Sequence, residues 1–157
     1  CYPTDGRTSD ELLTRADLAM YSAKEAGRND FRFFTAELHE EVQEKAQLMA
    51  GLQNAILNGE LWLAYQPRVD SQSGETVGVE ALLRWTHPVH GEIEPERFIP
   101  LAEQTGAILA LGEFALRGAL RQFRAWRDAG HGLQRVAVNL SMRQLLDEEL
   151  VDKVLRI

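Results

Sequence analysis

Two segments of the 157-residue sequence carry side chains that could share one metal ion. They are Val79-Glu80-Ala81-Leu82-Leu83-Arg84 and Val138-Asn139-Leu140-Ser141. Glu80 offers a carboxylate and Asn139 a carboxamide. Mg²⁺ prefers oxygen ligands in octahedral geometry and keeps several of its waters, so it needs few protein groups. The pair therefore suggests metal-assisted chemistry on a phosphate ester.

The segment 76–85 alternates like a β-strand, in which successive side chains point to opposite faces. One face would carry Gly78, Glu80, Leu82 and Arg84. A carboxylate and a guanidinium on one face are costly to bury unpaired, so a structural ion pair or a solvent-facing strand is an alternative to a ligand site. Arg84 is the residue type suited to bidentate phosphate contact. Gln66 could hydrogen-bond a ligand or cap the hairpin.

Asn139 lies at the end of the apolar strand 136–138, a position where parallel α/β folds place functional groups. It could instead cap the following helix, which is a common role of asparagine. Ser141 is the better cap, which leaves Asn139 freer for a ligand. Glu103, on a predicted short helix, is interpreted as a surface or capping group.

Composition restricts the partners. The net charge of −7 disfavours non-specific binding to duplex DNA or anionic membranes, so we expect no nucleic-acid polymer as partner. No apolar run reaches the length of a membrane span, and we expect no membrane contact from this segment. The single cysteine favours a reducing compartment weakly. A cytoplasmic location is therefore predicted, although regions outside this segment could tether the parent protein to a membrane.

The first third of the chain predicts two helices. Thr8 and Glu11 have capping-box spacing, which marks a helix start, and Gly27 is a natural stop. The alternating aromatic residues 30–34 predict a strand. A second helix is expected over 36–58.

The helix 36–58 has apolar residues at heptad steps, interrupted by one lysine. The seam is Leu38, Val42, Lys45, Met49, Leu52 and Ile56. Gly51 would cost about 1 kcal/mol relative to alanine within a helix. The helix could pack on its own domain, or it could form a rigid connector or an intermolecular seam, which leaves a homodimer open.

From Glu60 onward the pattern changes to a hairpin followed by alternating helices and strands. Strands are expected at 61–66, 76–85 and 135–140, with helices at 96–105, at 109–129 and from Ser141. Residues 87–95 would form a loop. This order is typical of an α/β fold with parallel strands covered by helices.

At these residues the sequence resembles the start of an EAL domain, the cyclic di-GMP phosphodiesterase family. The resemblance covers about residues 60–157 and is carried by Tyr65-Gln66-Pro67, Gly78-Val79-Glu80-Ala81-Leu82-Leu83-Arg84-Trp85, His87-Pro88, Phe98-Ile99-Pro100-Leu101-Ala102-Glu103, Leu111-Gly112 and Val138-Asn139-Leu140-Ser141-Met142-Arg143-Gln144.

The preceding segment resembles the C-terminal end of a GGDEF domain, the diguanylate cyclase family. The matches are Tyr2-Pro3, Asp5-Gly6, Leu12, Ala16-Asp17, Ala19-Met20-Tyr21, Ala23-Lys24 and Gly27-Arg28-Asn29. The resemblance implies a C-terminal edge of a cyclase-like α+β domain over 1–35, a linker helix over 36–58, and an incomplete TIM-type (β/α) barrel over 59–157. Both ends of the chain resemble interior positions of a longer protein.

The resemblance implies roles for individual residues. Glu80 and Asn139 would be ligands of Mg²⁺ or Mn²⁺. Gln66 and Arg84 would contact the dinucleotide, with Leu82 packing near it. A further pair, Lys24 and Arg28, matches the triphosphate-contacting cations of the cyclase family, but the GGDEF signature is absent from this chain.

For the parent protein, the resemblance implies metal-dependent hydrolysis of cyclic di-GMP to the linear dinucleotide by in-line attack of water. This chain alone is expected not to turn over, because a TIM-type barrel needs eight strands and about 250 residues. A non-catalytic cyclic di-GMP receptor is the alternative. A structural signalling module, in which helix 36–58 passes conformational changes, is a third interpretation.

Overall fold

The computed structural model of the chain describes residues 1–25 and 29–157. Its helices are α1 (Ser9–Glu25), α2 (Ala36–Leu52), α3 (Pro95–Thr105), α4 (Ile108–Asp128), α5 (Met142–Leu145) and α6 (Leu150–Arg156). Its strands are β1 (Leu61–Val69), β2 (Thr76–His87), β3 (Gly91–Ile93) and β4 (Arg135–Val138). The chain divides into two compact units, residues 1–48 and 49–157.

Helix α1 of the first unit begins at the predicted capping box. The backbone N–H of Glu11 donates to Thr8 Oγ1 at 3.2 Å, and the N–H of Thr8 donates to Glu11 Oε2 at 3.4 Å. These reciprocal bonds satisfy donors that the first turn of a helix leaves open. The predicted stop at Gly27 lies outside the described residues.

The strand predicted over residues 30–34 is wrong, since no strand is described before Leu61. Phe31 and Phe33 are 72% and 73% exposed, and their rings contact each other edge to face with centroids 5.4 Å apart. A strand is stabilised by pairing with a neighbour, and this segment pairs with no strand among the described residues. Alternating aromatic residues alone were therefore not enough to form a strand in this segment.

Helix α2 begins at the predicted residue but ends at Leu52 rather than at residue 58. Residues 53–59 form turns instead. The N–H of Glu60 donates to the carbonyl of Ala55 at 3.0 Å, and Gly59 has a φ of 69°. Glycine tolerates this left-handed conformation, which closes the segment as it closes many helix ends. The prediction of one continuous helix over 36–58 is therefore wrong at its C-terminal end.

The sheet of the second unit is built around β2. Strands β1 and β3 pair with it antiparallel, and β4 pairs with it parallel. The predicted hairpin of β1 and β2 is confirmed, and the predicted loop 87–95 contains the short strand β3. Strand β1 continues through Pro67 because β2 is its only neighbour among the described strands, and proline is tolerated at a sheet edge.

Helices α3 and α4 contact the sheet on the face that carries the odd-numbered residues of β1 and β2. Trp85 is fully buried there and meets Phe98 of α3 with ring centroids 5.7 Å apart. Tyr65 contacts Trp126 of α4 with centroids 4.8 Å apart. The apolar core therefore occupies one face of the sheet, and the even-numbered residues lie on the other.

Candidate functional site

The even-numbered residues of β2 form one row with their partners on β1. In the antiparallel register Gln66 lies opposite Glu80, and Trp62 lies opposite Arg84. Leu82 stands between the two charged positions of β2, as the alternation of the sequence predicted. Directly opposed residues have their Cβ atoms about 4.5–5.5 Å apart. The hairpin thus brings Gln66, Glu80, Leu82 and Arg84 onto one face.

Strand β4 adds Asn139 to this face. Its parallel register places Ala137 opposite Glu80, and Asn139 is the residue two positions further along. Asn139 Nδ2 donates to Glu80 Oε1 at 2.9 Å. The two residues predicted to share a metal ion are therefore in direct contact.

Ser141, rather than Asn139, caps the following helix α5. Ser141 Oγ accepts from the N–H of Gln144 at 3.2 Å, and Gln144 Oε1 accepts from the N–H of Ser141 at 3.0 Å. This is a complete capping box. The capping alternative for Asn139 is thus wrong, and its side chain is directed to Glu80.

Arg84 lies four residues after Glu80 on β2 and is half-buried. Its Nη1 donates to the carbonyl of Leu83 at 3.0 Å. The structural ion pair considered for Arg84 is not among the described salt bridges. An open groove beside it is lined by Leu82, Arg84, Glu92, Glu94, Pro95 and Glu96. The guanidinium therefore stands at the wall of a space that a ligand can enter.

A cavity of about 230 Å³ lies between strand β2 and helices α3, α4 and α5. Its walls are mostly apolar, and the polar residues that line it are Arg84, Glu103, Asn139, Ser141 and Gln144. The carbonyl of Glu103 accepts a hydrogen bond from Arg143 Nη1. Glu103 is half-buried and lines this cavity, and the surface or capping role of its side chain stays a prediction.

Gln144 and Gly112 also line this cavity, although the sequence pattern predicted a role for neither of them. Gln144 is only 4% exposed, and a Cβ on Gly112 would lie 1.8 Å from Gln144 Nε2. The Ser-x-x-Gln spacing at 141–144 is a readable capping-box signal. Nothing in the sequence pattern alone connects it to Gly112 of α4, because that contact depends on tertiary packing.

The remaining predicted residues lie in the first unit. Lys24 is exposed in the last turn of α1. Arg28 lies outside the described residues. The described residues therefore give no geometry for a triphosphate contact by Lys24 and Arg28.

The donor chemistry of Glu80 and Asn139 fits a hard divalent cation, since both side chains offer oxygen. Within the described residues, no group of three or more His, Cys, Asp or Glu side chains is placed to hold a metal ion. The pair thus offers two side-chain oxygens that a cation could use. In residues 1–25 and 29–157, no helix has the length and apolar character needed to cross a membrane.

The EAL domain family matches residues 49–157 of the chain. A bifunctional diguanylate cyclase/cyclic di-GMP phosphodiesterase of Pseudomonas aeruginosa, MucR, is 49% identical over 153 residues, which cover 98% of this chain and 22% of that protein. The cyclic di-GMP phosphodiesterase PdeR of Escherichia coli is 43% identical over 148 residues, covering 94% of this chain and 22% of that protein. The chain thus spans about a fifth of the length of these relatives.

The solved structure of the PaMucR phosphodiesterase in its c-di-GMP complex superposes with a TM-score of 0.68 at 49% identity. The superposition covers 70% of this chain and 44% of that one. A second structure, the FimX EAL domain from Pseudomonas aeruginosa bound to c-di-GMP, superposes with a TM-score of 0.55 at 26% identity over 67% of this chain and 41% of that one. Both neighbours are EAL-type proteins or phosphodiesterases that hold the same dinucleotide.

Proposed function

The chain belongs to the EAL domain family, and from that premise we propose that its parent protein is a metal-dependent phosphodiesterase that hydrolyses cyclic di-GMP to the linear dinucleotide. The observation that carries the proposal is the contact of Glu80 with Asn139 on the sheet face that also presents Gln66 and Arg84. This face combines oxygen donors for a cation with a guanidinium for a phosphate. Relatives and structural neighbours that act on or hold cyclic di-GMP support this assignment.

Each residue of the face has a proposed part in binding. Glu80 and Asn139 hold Mg²⁺ or Mn²⁺ through their side-chain oxygens. Arg84 pairs with a phosphate of the dinucleotide, Gln66 hydrogen-bonds it, and Leu82 packs against it. A bound divalent cation supplies Lewis-acid activation of water and of phosphate oxygens. The protein's contribution is to hold the phosphate and the cation on one face of the sheet formed by β1, β2 and β4.

We also propose the domain organisation that the sequence predicted. Residues 1–35 would be the C-terminal edge of a GGDEF-like domain, residues 36–58 the linker, and residues 59–157 the first part of a TIM-type barrel. The match to MucR supports this, because it covers 98% of the chain and therefore extends before residue 49. Triphosphate contact by Lys24 and Arg28, a homodimer and a cytoplasmic location stay predictions.

The test is hydrolysis by the full-length parent protein. Purified protein is incubated with cyclic di-GMP and Mg²⁺ or Mn²⁺, with a chelator in the parallel sample, and the products are separated by chromatography. The proposal expects the linear dinucleotide only in the presence of the cation. Tight binding without cleavage would instead establish the receptor alternative, and the absence of both binding and cleavage would leave the structural signalling module.

A further inference from the structure

Gly112 of α4 faces a side chain that leaves no room for a Cβ. A Cβ built on Gly112 lies 1.8 Å from Nε2 and 2.6 Å from Cδ of Gln144. The atoms it meets are not the free end of a mobile surface chain, because Gln144 is only 4% exposed. Protein interiors are close-packed, so even one methyl group is felt at such a contact. The Gln144 side chain can therefore occupy its observed position only because residue 112 is a glycine.

Gln144 in turn holds the segment that follows β4. Its side-chain Oε1 accepts from the N–H of Ser141 at 3.0 Å, and its own N–H donates to Ser141 Oγ at 3.2 Å. Arg143, the preceding residue, donates to the carbonyl of Glu103 at the end of α3. The short helix α5 is thus attached to α3 by Arg143 and seated against α4 by Gln144.

Asn139 depends on this segment for its position. The ladder between β2 and β4 ends at the pair of Ala81 and Val138, so Asn139 follows the last paired residue of its strand. Asn139 is exposed, which means that packing around its side chain contributes little to its placement. Its position is therefore determined mainly by its hydrogen bond to Glu80 and by the turn that follows it. The capping box of Ser141 and Gln144 holds that turn.

We infer that Gly112 is a positioning residue of the metal site: it opens the slot that Gln144 fills, and Gln144 thereby holds the turn that presents the Asn139 carboxamide to Glu80. Neither Gly112 nor Gln144 touches the cation in this assignment. The inference rests on the proposed function, in which Asn139 is a metal ligand. It adds that the affinity for the cation is set partly from α4, on the opposite side of the sheet from Glu80.

The test uses the full-length protein with three variants, Gly112→Ala, Gln144→Ala and the double variant. Gly132→Ala is the matched control, because a Cβ there meets nothing within 4 Å. Two quantities are measured: Mn²⁺ binding to the substrate-free protein by calorimetry, and the thermal melting temperature. Groups that orient metal ligands typically change metal affinity by about 10–100-fold when they are altered. We expect Gly112→Ala and Gln144→Ala each to weaken Mn²⁺ binding about tenfold.

The double variant separates positioning from general destabilisation. The three atoms nearest to the added methyl group all belong to the Gln144 amide, so the double variant, which lacks this amide, should bind Mn²⁺ no more weakly than Gln144→Ala alone. The control should bind like the wild type. Unchanged Mn²⁺ affinity in Gln144→Ala, or additive losses in the double variant, would overturn the inference. If Gly112→Ala fails to fold, Gln144→Ala still decides by the same measurement.

Failure of the proposed function has a different signature. If Glu80→Gln leaves Mn²⁺ binding unchanged, Glu80 is no metal ligand and the proposed function fails first. If Glu80→Gln abolishes binding while Gly112→Ala and Gln144→Ala bind like the wild type, the function stands and only the positioning role of Gly112 is wrong.

Discussion

Asn139 and Glu80 are 59 residues apart in sequence, and the carboxamide of Asn139 donates a 2.9 Å hydrogen bond to the carboxylate of Glu80. The contact joins two strands whose pairing is parallel. A parallel pair needs a crossover connection, which α3 and α4 provide here. The same helices therefore build the core and bring the two oxygen donors together.

The first prediction concerns Glu80→Gln in the full-length protein. The glutamine keeps an oxygen that can accept from Asn139 Nδ2, so the fold should persist, but it removes the negative charge that favours a cation. We expect cation-dependent hydrolysis of cyclic di-GMP to fall by more than about 100-fold, which exceeds the range for changes to groups that only orient metal ligands. Product formation at saturating Mn²⁺ is the measurement.

The matched control for Glu80→Gln is Glu113→Gln, an equal charge change in the exposed pair of Glu113 with Arg117. Such surface pairs contribute little to stability, so the control should hydrolyse at the wild-type rate. Wild-type turnover of Glu80→Gln, with the control also unaffected, would exclude Glu80 from the metal site.

The second prediction is that Arg84→Ala weakens binding of cyclic di-GMP. Loss of a hydrogen bond to a charged group costs about 1.5–3 kcal/mol, and calorimetric titration measures this difference directly. Arg84→Lys should lie between the wild type and Arg84→Ala, because lysine keeps the charge but lacks the planar fork.

Arg124→Ala is the control for this change, since the Arg124 side chain is 86% exposed on α4. It removes the same charge and should leave the affinity unchanged. An Arg84→Ala affinity equal to that of the wild type would mean that the guanidinium serves the structure rather than the ligand.

The alternation of residues in the sequence was enough to predict which side chains share each face of β2. Alternation separated Glu80 and Arg84 from the core residues, and the structure confirms that odd-numbered residues such as Trp85 face the helices. The approach of Asn139 to Glu80 could not be obtained in this way. It depends on the register between β4 and β2, in which Ala137 opposes Glu80, and register is a tertiary property.

Local sequence patterns gave wrong predictions for the strand at 30–34 and for the end of helix α2. The alternating segment 30–34 pairs with no described strand and is therefore no strand. The heptad pattern continued to Ile56, yet α2 ends at Leu52. Asn54 and Asn58 favour turns over a helix interior because their side chains compete for backbone groups, and this preference outweighed the apolar spacing.

The third prediction concerns Glu60, which accepts a hydrogen bond from the indole N–H of buried Trp85 at 2.9 Å. This bond is the main reason that the pKa of Glu60 lies below its ordinary value of 4.5, and the Asn58 amide acts in the same direction. Because the folded-state pKa is lowered, the contribution to stability is fully present above pH 4.5. It is lost as the pH falls through the folded-state pKa.

We therefore expect Glu60→Gln to be less stable than the wild type near neutral pH, with the difference shrinking below pH 4.5. Charged acceptors make stronger hydrogen bonds than neutral ones, which is why glutamine does not compensate fully. Urea unfolding followed by tryptophan fluorescence at several pH values is the measurement. A difference that stays constant from about pH 7 to about pH 3 would contradict the assignment, because the linkage requires it to change.

The last prediction concerns Gly51, which lies in the final turn of α2 rather than in the middle of a longer helix. A Cβ there would lie 3.1 Å from His87 Nε2 and 3.4 Å from Trp85 Cζ2. Neither ring can yield easily. Trp85 is fully buried, and the His87 ring is held because its Nδ1 accepts from the N–H groups of Val89 and His90, each at 3.2 Å.

Gly51→Ala thus sets helix propensity against packing. Alanine would gain at most about 1 kcal/mol of propensity in a helix, whereas crowding a packed site typically costs about 1–3 kcal/mol. We expect the variant to lower the free energy of unfolding, as measured by urea denaturation. A cycle with His87→Ala isolates the contact: with the imidazole removed, Gly51→Ala should become neutral or stabilising. If Gly51→Ala stabilises the protein while His87 is present, the rings yield, and propensity rather than close packing decides this position.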